Sequence, residues 1–276
     1  MNTAIAPIVK WAGGKRQLLP ILQQFIPSSF DAYYEPFLGG AAVLLALKPK
    51  VAIVNDSNCE LMTAYRVIKD DVNALIDDLT CHQNNKEYYY HLRGLDRDPN
   101  SYATLSDVKK ASRFLYLNKT CFNGLFRVNK SGQFNSPFGR YKKPNIINET
   151  RLRALNAYLN KANVTLLTGS FESALTKIKK DAFVYFDPPY DPVSETAKFT
   201  GYTATGFDRE WQIRLKQLCD ELNGSGIKFL LSNSPTPFIV ELYKEYKIEN
   251  INAKRNLNAN ADTRNMMGEV LIRNYE

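Results

Sequence analysis

Much of what this chain could be is excluded by what it lacks. Its four cysteines (Cys59, Cys81, Cys121, Cys219) are scattered and form no C-x-x-C pair, so neither a disulfide framework nor a thiolate metal cage is indicated. Histidine is limited to His82 and His91, too few to build a metal centre, and no metal is expected. The longest apolar run, "AAVLLAL" (41–47), falls far short of the roughly 20 residues that cross a bilayer. The opening "MNTAIAPIVKW" has no h-region of a secretion signal. These absences point to the cytoplasm, away from membranes. The phosphate-cradling G-x-x-x-x-G-K-[ST] is missing, as is a full G-x-G-x-x-G. No repeat and no low-complexity tract interrupts the chain, and no Pro-Cys pair suggests a cysteine nucleophile.

What is present is the balance of a globular protein with a core, 44% hydrophobic and 23% charged, with a formal net charge of +8. Such an excess of cations suits an anionic partner, nucleic acid first. Five short apolar runs end at polar or special residues: "YYEPF" (33–37), "VAIVND" (51–56), "VTLLTGSF" (164–171), "FVYFDPPY" (183–190) and "KFLLSNS" (228–234). Consecutive apolar positions are the mark of strands buried on both faces. Helical patterns separate most of them: "RQLLPILQQFI", "GAAVLLALK", "RLRALNAYLNKA", "ESALTKIKK" and "DREWQIRLKQLCDELNGSG". The alternation predicts an α/β fold, a Rossmann-like, mostly parallel sheet with helices on both faces. A last strand, "EVLIRNY" (269–275), is expected at or near an edge. The alternation breaks between the second and third strands, where 59–93 and 105–119 look helical and 120–145 do not. Residues 59–149 are therefore expected to form an inserted helical and β-hairpin domain, and 1–58 with 150–276 the sheet domain.

Acid is missing from one region in particular. "KTCFNGLFRVNKSGQFNSPFGRYKK" (119–143) holds six basic residues, five aromatics and no Asp or Glu. "NKSGQF" is a turn signal between strand-like pieces, so a hairpin is predicted. Lysine and arginine neutralise phosphates, arginine and asparagine read base edges, and exposed aromatics wedge into a base stack. Double-stranded DNA is the expected partner, with some of the five aromatics kept for the hairpin's own core.

Two glycine-rich stretches bear on small-molecule binding. "WAGGKRQLL" (11–19) is a Gly-Gly turn before a helix with Lys15 in its first turn, a place for an anion or for nothing. "YYEPFLGGAAV" (33–43) ends a strand and opens a helix through Gly39-Gly40, where a nucleotide could approach the backbone closely. Asp56, ending the next strand, suits a ribose hydroxyl pair.

The stretch "VYFDPPYDP" (184–192) ends a core strand on Asp187 and then removes two amide donors with Pro188 and Pro189. What remains is a pair of acceptors, the Asp187 carboxylate and the Pro188 carbonyl, beside the flat face of Tyr190. Two acceptors next to an aromatic face fit an exocyclic amino group on a planar base.

Taken in order, "KWAGGKRQLLP", "YYEPFLGGAAV", "FNGLFRVNKSGQFNSPFGRYKKP", "DPPYDPVSETAKFTGYT" and "LSNS" resemble the Dam-type N6-adenine DNA methyltransferases, over nearly the whole chain. The resemblance implies S-adenosylmethionine as methyl donor, with S-adenosylhomocysteine as product. It implies that Trp11 and Lys15 contact the cofactor near its methionine end, that Phe37 and Gly39 line it, that Asp56 holds its ribose, and that Phe171 packs on its adenine. Asp187, Pro188, Pro189 and Tyr190 carry the chemistry, with Asp187 bordering the cofactor too. On the DNA side Arg127 reads a guanine, Asn123 and Leu125 sit among the bases, and Phe122 is the wedge. Pro137 and Tyr141 flank the recognised bases, Lys10 reaches an outer guanine, and Arg140, Lys142 and Lys143 also meet the DNA, the two lysines at phosphates. Relatives with such a hairpin recognise GATC. A monomer of bacterial or phage origin, with a cognate restriction endonuclease as a possible partner, is the implied setting. The chain departs from the pattern at Ser170, often aspartate in relatives, at Phe122, often tyrosine, and in "KRNLNANADTRNMMG", which lacks the usual serine-arginine run. Residues 191–207 are expected to form a lid. N4-cytosine methylation remains an alternative, because the acceptor pair suits any exocyclic amine, and so does an inactive DNA-binding relative.

Overall fold

The computed structural model describes residues 5–193, 207–251 and 268–276. Most of the expected lid (191–207) and all but the last residue of "KRNLNANADTRNMMG" (254–268), with the DNA-contact expectations at 254–265, lie outside them. The described strands are β1 (Ala32–Glu35), β2 (Val51–Asp56), β3 (Asn163–Thr168), β4 (Ala182–Phe186), β5 (Lys228–Asn233), β6 (Lys247–Ile251) and β7 (Glu269–Arg273). They form one sheet of order β3-β2-β1-β4-β5-β7-β6. The first five are parallel, while β7 runs antiparallel to both β5 and β6. The described helices are α1 (Leu19–Phe25), α2 (Ala42–Leu47), α3 (Cys59–Asp70), α4 (Val72–Thr80), α5 (Lys86–Gly94), α6 (Pro99–Ala103), α7 (Asp107–Thr120), α8 (Glu149–Lys161), α9 (Arg209–Gly224) and α10 (Pro237–Leu242).

The predicted mixed α/β architecture is thus observed. Every residue of β1 and β4 is buried, as continuous apolar runs require. Alternate side chains feed two cores. Tyr33, Phe183 and Tyr185 face a core shared with α1, α2 and α3 that continues through α4, α7, α8 and the aromatics Phe126 and Phe134. Tyr34, Val184 and Phe186 face the other, under α9 and α10. Side-chain caps fix where the helices begin: Asn58, Asp71, Asn85, Ser106, Asn148 and Asp208 each accept from an amide of the first turn, contributing about 1 kcal/mol apiece.

One expectation is corrected, and one strand was missed. The sequence "ESALTKIKK" forms no α-helix, only a 3-10 turn at Phe171–Ala174. The chain must pass from β3, at one edge, beyond β2 and β1 to β4. That is a lateral step of about 14 Å plus the length of a strand, which residues 169–181 cannot cover at the ~1.5 Å rise of a helix. Strand β6 was not predicted. It takes the edge, so β7 lies second from it.

The sheet order reverses between β1 and β4. Successive strands leave β1 in one direction and β4 in the other, which opens a crevice beyond their carboxyl ends. The segments that follow these two strands are "PFLGG" and "DPPY".

Candidate active site and nucleic-acid interface

Asp187 follows β4 directly, and its Oδ1 lies 2.6 Å from the ammonium of Lys15. Lys15 is 3% exposed. It also donates to the Gly13 carbonyl at 2.8 Å and sits 4.7 Å from the centroid of the Tyr190 ring. The first Gly-Gly turn therefore delivers a cation to the very carboxylate singled out in the sequence. Gly39 is joined to its neighbours from both sides. Its N–H donates to Asp56 Oδ2 at 2.8 Å, and its φ of +48° brings the backbone so close to Trp11 that a Cβ would lie 2.8 Å from the indole. Asp56 also accepts from Asn58 N at 2.9 Å, and burial raises its carboxyl above the usual range. Phe37 stacks on Phe171, with centroids 5.2 Å apart, and Phe207 and Trp211 extend the aromatic group.

Glu35 was given no role from the sequence. It is buried beneath this crevice, accepting from the Tyr33 hydroxyl at 2.9 Å and Leu44 N at 3.2 Å. Burial pushes its carboxyl well above the ordinary range. The hydrogen bond from Tyr33 opposes that push, and the nearby Asp187 charge adds to it. An acid inside an otherwise apolar strand run was the available signal.

The loop after β4 is held at almost every residue. Gln212 on α9 donates to the Pro189 carbonyl at 2.9 Å and itself accepts from Asn233 at 3.1 Å. Asn233 accepts from Asp191 N at 3.1 Å. The Asp191 carboxylate is gripped by Arg209 at 3.2 Å and Thr236 at 2.7 Å. Tyr190 donates its hydroxyl to Glu269 Oε2 at 2.8 Å, a partner the sequence did not suggest. The Pro188 carbonyl, by contrast, accepts no hydrogen bond from the described residues. Burial raises the Tyr190 phenol well above its ordinary range, with the charges of Asp187 and Glu269 adding.

The predicted hairpin exists as two isolated antiparallel bridges, Cys121 with Phe138 and Val128 with Phe134, rather than as regular strands. Its aromatics divide. Phe126 and Phe134 are core, while Phe122 is 55% exposed. Phe122 N donates to the Pro137 carbonyl at 2.8 Å, so these two predicted DNA contacts are brought together. Asn123, Arg127, Pro137, Arg140, Lys142 and Lys143 are exposed, and Leu125 and Tyr141 are half-buried. Trp11 reaches the hairpin too, stacked on Phe126 at 5.5 Å. Lys10 lies across it. Gly124, at φ +65°, leaves no room for a Cβ, which would fall 2.2 Å from Lys10 Cδ. The Asn118 side chain accepts from Lys10 N at 2.9 Å and donates to Lys10 O at 2.8 Å.

The sequence profile of the D12 class N6 adenine-specific DNA methyltransferases matches residues 11–257. The chain belongs to that family. It is 43% identical to the type II methyltransferase M1.LlaDCHI of Lactococcus lactis subsp. cremoris, over 98% of this chain and 96% of that protein. It is 39% identical to the type II methyltransferase M.MjaIII of Methanocaldococcus jannaschii, over 98% and 99%. It is 33% identical to the DNA adenine methylase of Escherichia coli (strain K12), over 95% and 93%. It is thus an adenine-specific DNA methyltransferase with DNA as its substrate.

This methyltransferase has a further cationic feature beside the hairpin. A cleft of about 230 Å³ is lined by Lys10, Lys119, Tyr141, Lys143 and Arg151, among others. Among the described residues no carboxylate pairs with any of its four cations. Burial lowers the Lys119 ammonium to about 8, and the charges of Arg151 and Lys10 push the same way. The sequence placed Lys119 among the basic residues of 119–143 but gave neither it nor Arg151 a role of its own, because they lie on α7 and α8, outside the exposed part of the hairpin. No described helix is long and apolar enough to cross a membrane.

Proposed function

We propose that this methyltransferase modifies N6 of an adenine turned out of duplex DNA, within GATC, using S-adenosylmethionine. The observation that carries the chemistry is the acceptor pair of Asp187 and the Pro188 carbonyl beside Tyr190, at the point where the strand order reverses. The donor set fits the cofactor. A cationic sulfonium suits a crevice with the Asp187 and Asp56 carboxyl groups nearby, and the Phe37–Phe171 stack offers an aromatic surface for an adenine. Asp56 and Gly39 are proposed to hold the ribose side, and Trp11 and Lys15 the methionine side. Lys15 is already bound to Asp187, so its role there includes holding that carboxylate. When bound, the cofactor supplies an electrophilic methyl group.

The chain's own part is to make the amine a better nucleophile. Its lone pair is delocalised into the base. Hydrogen bonds from the amino group to Asp187 and to the Pro188 carbonyl would draw electron density onto nitrogen, and the same acceptors mark where the N–H proton released on methylation would leave, the sulfur departing as a neutral thioether. The loop's fixed anchors mean that little reorganisation is needed at that moment. Turning the base out costs a few kcal/mol, and the exposed Phe122 ring is suited to fill the gap. Arg127, exposed and without a described partner, has the fork needed for guanine O6 and N7. Lys10, Asn123, Leu125, Pro137 and Tyr141 complete the reading face, and Arg140, Lys142, Lys143 and the cleft cations lie along the backbone. We assign DNA reading to residues 59–149 and cofactor binding to 1–58 and 150–276. A cytoplasmic monomer, with a cognate restriction endonuclease as partner, completes the proposal. The family's adenine specificity sets the N4-cytosine alternative aside.

The test is methylation-sensitive sequencing of DNA from cells that express the chain. Methyladenine confined to GATC supports the proposal. Methyladenine at another sequence overturns the site assignment, and its absence overturns the activity.

A further inference from the structure

We infer that Glu269 is a positioning residue for methyl transfer, acting through the ring of Tyr190; this rests on the proposal that the target base lies against that ring. Glu269 opens β7, paired with Ile251 across the β6–β7 ladder, and is 3% exposed. Burying a carboxylate is costly unless hydrogen bonds and charge compensate, and a strand start needs no acid. Here the carboxylate accepts the Tyr190 hydroxyl at 2.8 Å. An O–H···O⁻ bond is among the stronger hydrogen bonds available to a protein.

The neighbouring anchors show what that bond adds. In the β5–β7 ladder Asn233 pairs with Val270, the residue after Glu269. Asn233 holds Asp191 N and Glu269 holds Tyr190, so adjacent strands clamp consecutive residues of the loop. The two prolines and Gln212 fix the loop's backbone, but a tyrosine ring keeps two torsions of its own. Those are settled at the far end by Glu269 and against one face by the Lys15 ammonium, 4.7 Å from the centroid. A phenol donating to a carboxylate also carries a more electron-rich ring. That favours Lys15 and the positive charge that grows on the amine as its nitrogen bonds to the methyl group. Tyr190 is therefore more than a flat surface, and its hydroxyl matters.

The experiment uses the full chain and a duplex carrying the recognition site with its target adenine unmethylated, with 2-aminopurine in place of that adenine in a parallel fluorescence assay. Glu269→Ala is expected to lower kcat on the order of tenfold, what one charge-assisted hydrogen bond contributes. KM for S-adenosylmethionine and for DNA should stay within about twofold of wild type, because Glu269 itself is assigned a contact to neither and most of the proposed DNA contacts lie in the hairpin. Glu269→Gln, whose amide oxygen still accepts, should recover most of the loss. Tyr190→Phe removes the same bond from the other side and should match Glu269→Ala, with the double variant no worse than either single one. The 2-aminopurine signal of the extruded base should shift in both. Unchanged kcat in Tyr190→Phe, or losses that multiply in the double variant, overturns the inference, and Tyr190→Phe gives that answer even if Glu269→Ala does not fold. If Tyr190→Ala itself keeps full turnover, the base does not lie on this ring and the underlying proposal fails. A dead Tyr190→Ala beside fully active Tyr190→Phe and Glu269→Ala overturns the Glu269 role alone.

Discussion

In the loop after β4, Pro189, Tyr190 and Asp191 each have a partner in the surrounding elements, and Asp187 is paired with Lys15. In the hairpin after α7 the opposite holds. Phe122 stands 55% exposed, Arg127, Lys142 and Lys143 are exposed cations, and two isolated bridges take the place of a regular ladder. Chemistry on a weakly nucleophilic amine gains from groups that need not move during the reaction. Recognition of a polyanion gains from charges that the protein has left for the DNA to satisfy.

Changes in the loop should therefore affect turnover, and changes in the hairpin affinity and selectivity. The largest effect is expected for Asp187→Asn. It keeps an oxygen for Lys15 but removes the charged acceptor, and turnover should fall by about 10²–10³ or more, the scale seen when one stabilising group is removed from an active site. Label transfer from S-adenosylmethionine measures it, with circular dichroism to show an unchanged fold. Turnover within a few-fold of wild type would mean that the fixed carboxylate does no chemistry. Next comes Arg127→Ala, which should cost about 1–3 kcal/mol on the preferred site and far less on unrelated DNA. Equal slowing at every single-base variant of GATC would reduce Arg127 to one more phosphate contact.

A smaller effect with a distinctive pH dependence is expected at Lys119. Its ammonium lies near 8 in the folded chain, against about 10.4 for a free lysine. Between these values the unfolded chain binds more protons than the folded one, so Lys119 makes stability rise with pH across that window, and its penalty is complete below it. The proposed phosphate contact requires the charged form, so affinity should weaken as pH rises through about 8. Anisotropy titrations on either side of that pH should show the loss in wild type and a flat response in Lys119→Met. The smallest effects belong to Lys142→Ala and Lys143→Ala. Each should weaken all sequences alike and reduce the salt slope of binding by about one unit.

The parts legible in the sequence were the local ones. β1, β2, β4 and β5 could be read because strands in the middle of a sheet need unbroken apolar runs. "KIENI" could not, because β6 is an edge strand with three polar residues among five. The acceptors of "DPPY" are adjacent in the chain and were visible; their supports are not. Glu269 belongs to Tyr190 across 79 residues, and no periodicity links a strand start to a distant phenol. Nor could composition sort Phe122 from Phe126 and Phe134, since burial depends on whether Trp11 and α7 lie against the ring.

The double hydrogen bond between Asn118 and the Lys10 backbone has a consequence for engineering. Residues 10–15 run from a lysine lying over the hairpin's Gly124 to a lysine bound to Asp187. The hairpin is thus not a detachable unit. A chimera that transplants residues 119–143 from a relative of different specificity would lay a foreign turn against the resident Lys10 stem, and any side chain at position 124 would press on it. Grafts that carry residues 8–11, Asn118 and the hairpin together should exchange specificity more cleanly than grafts of the hairpin alone.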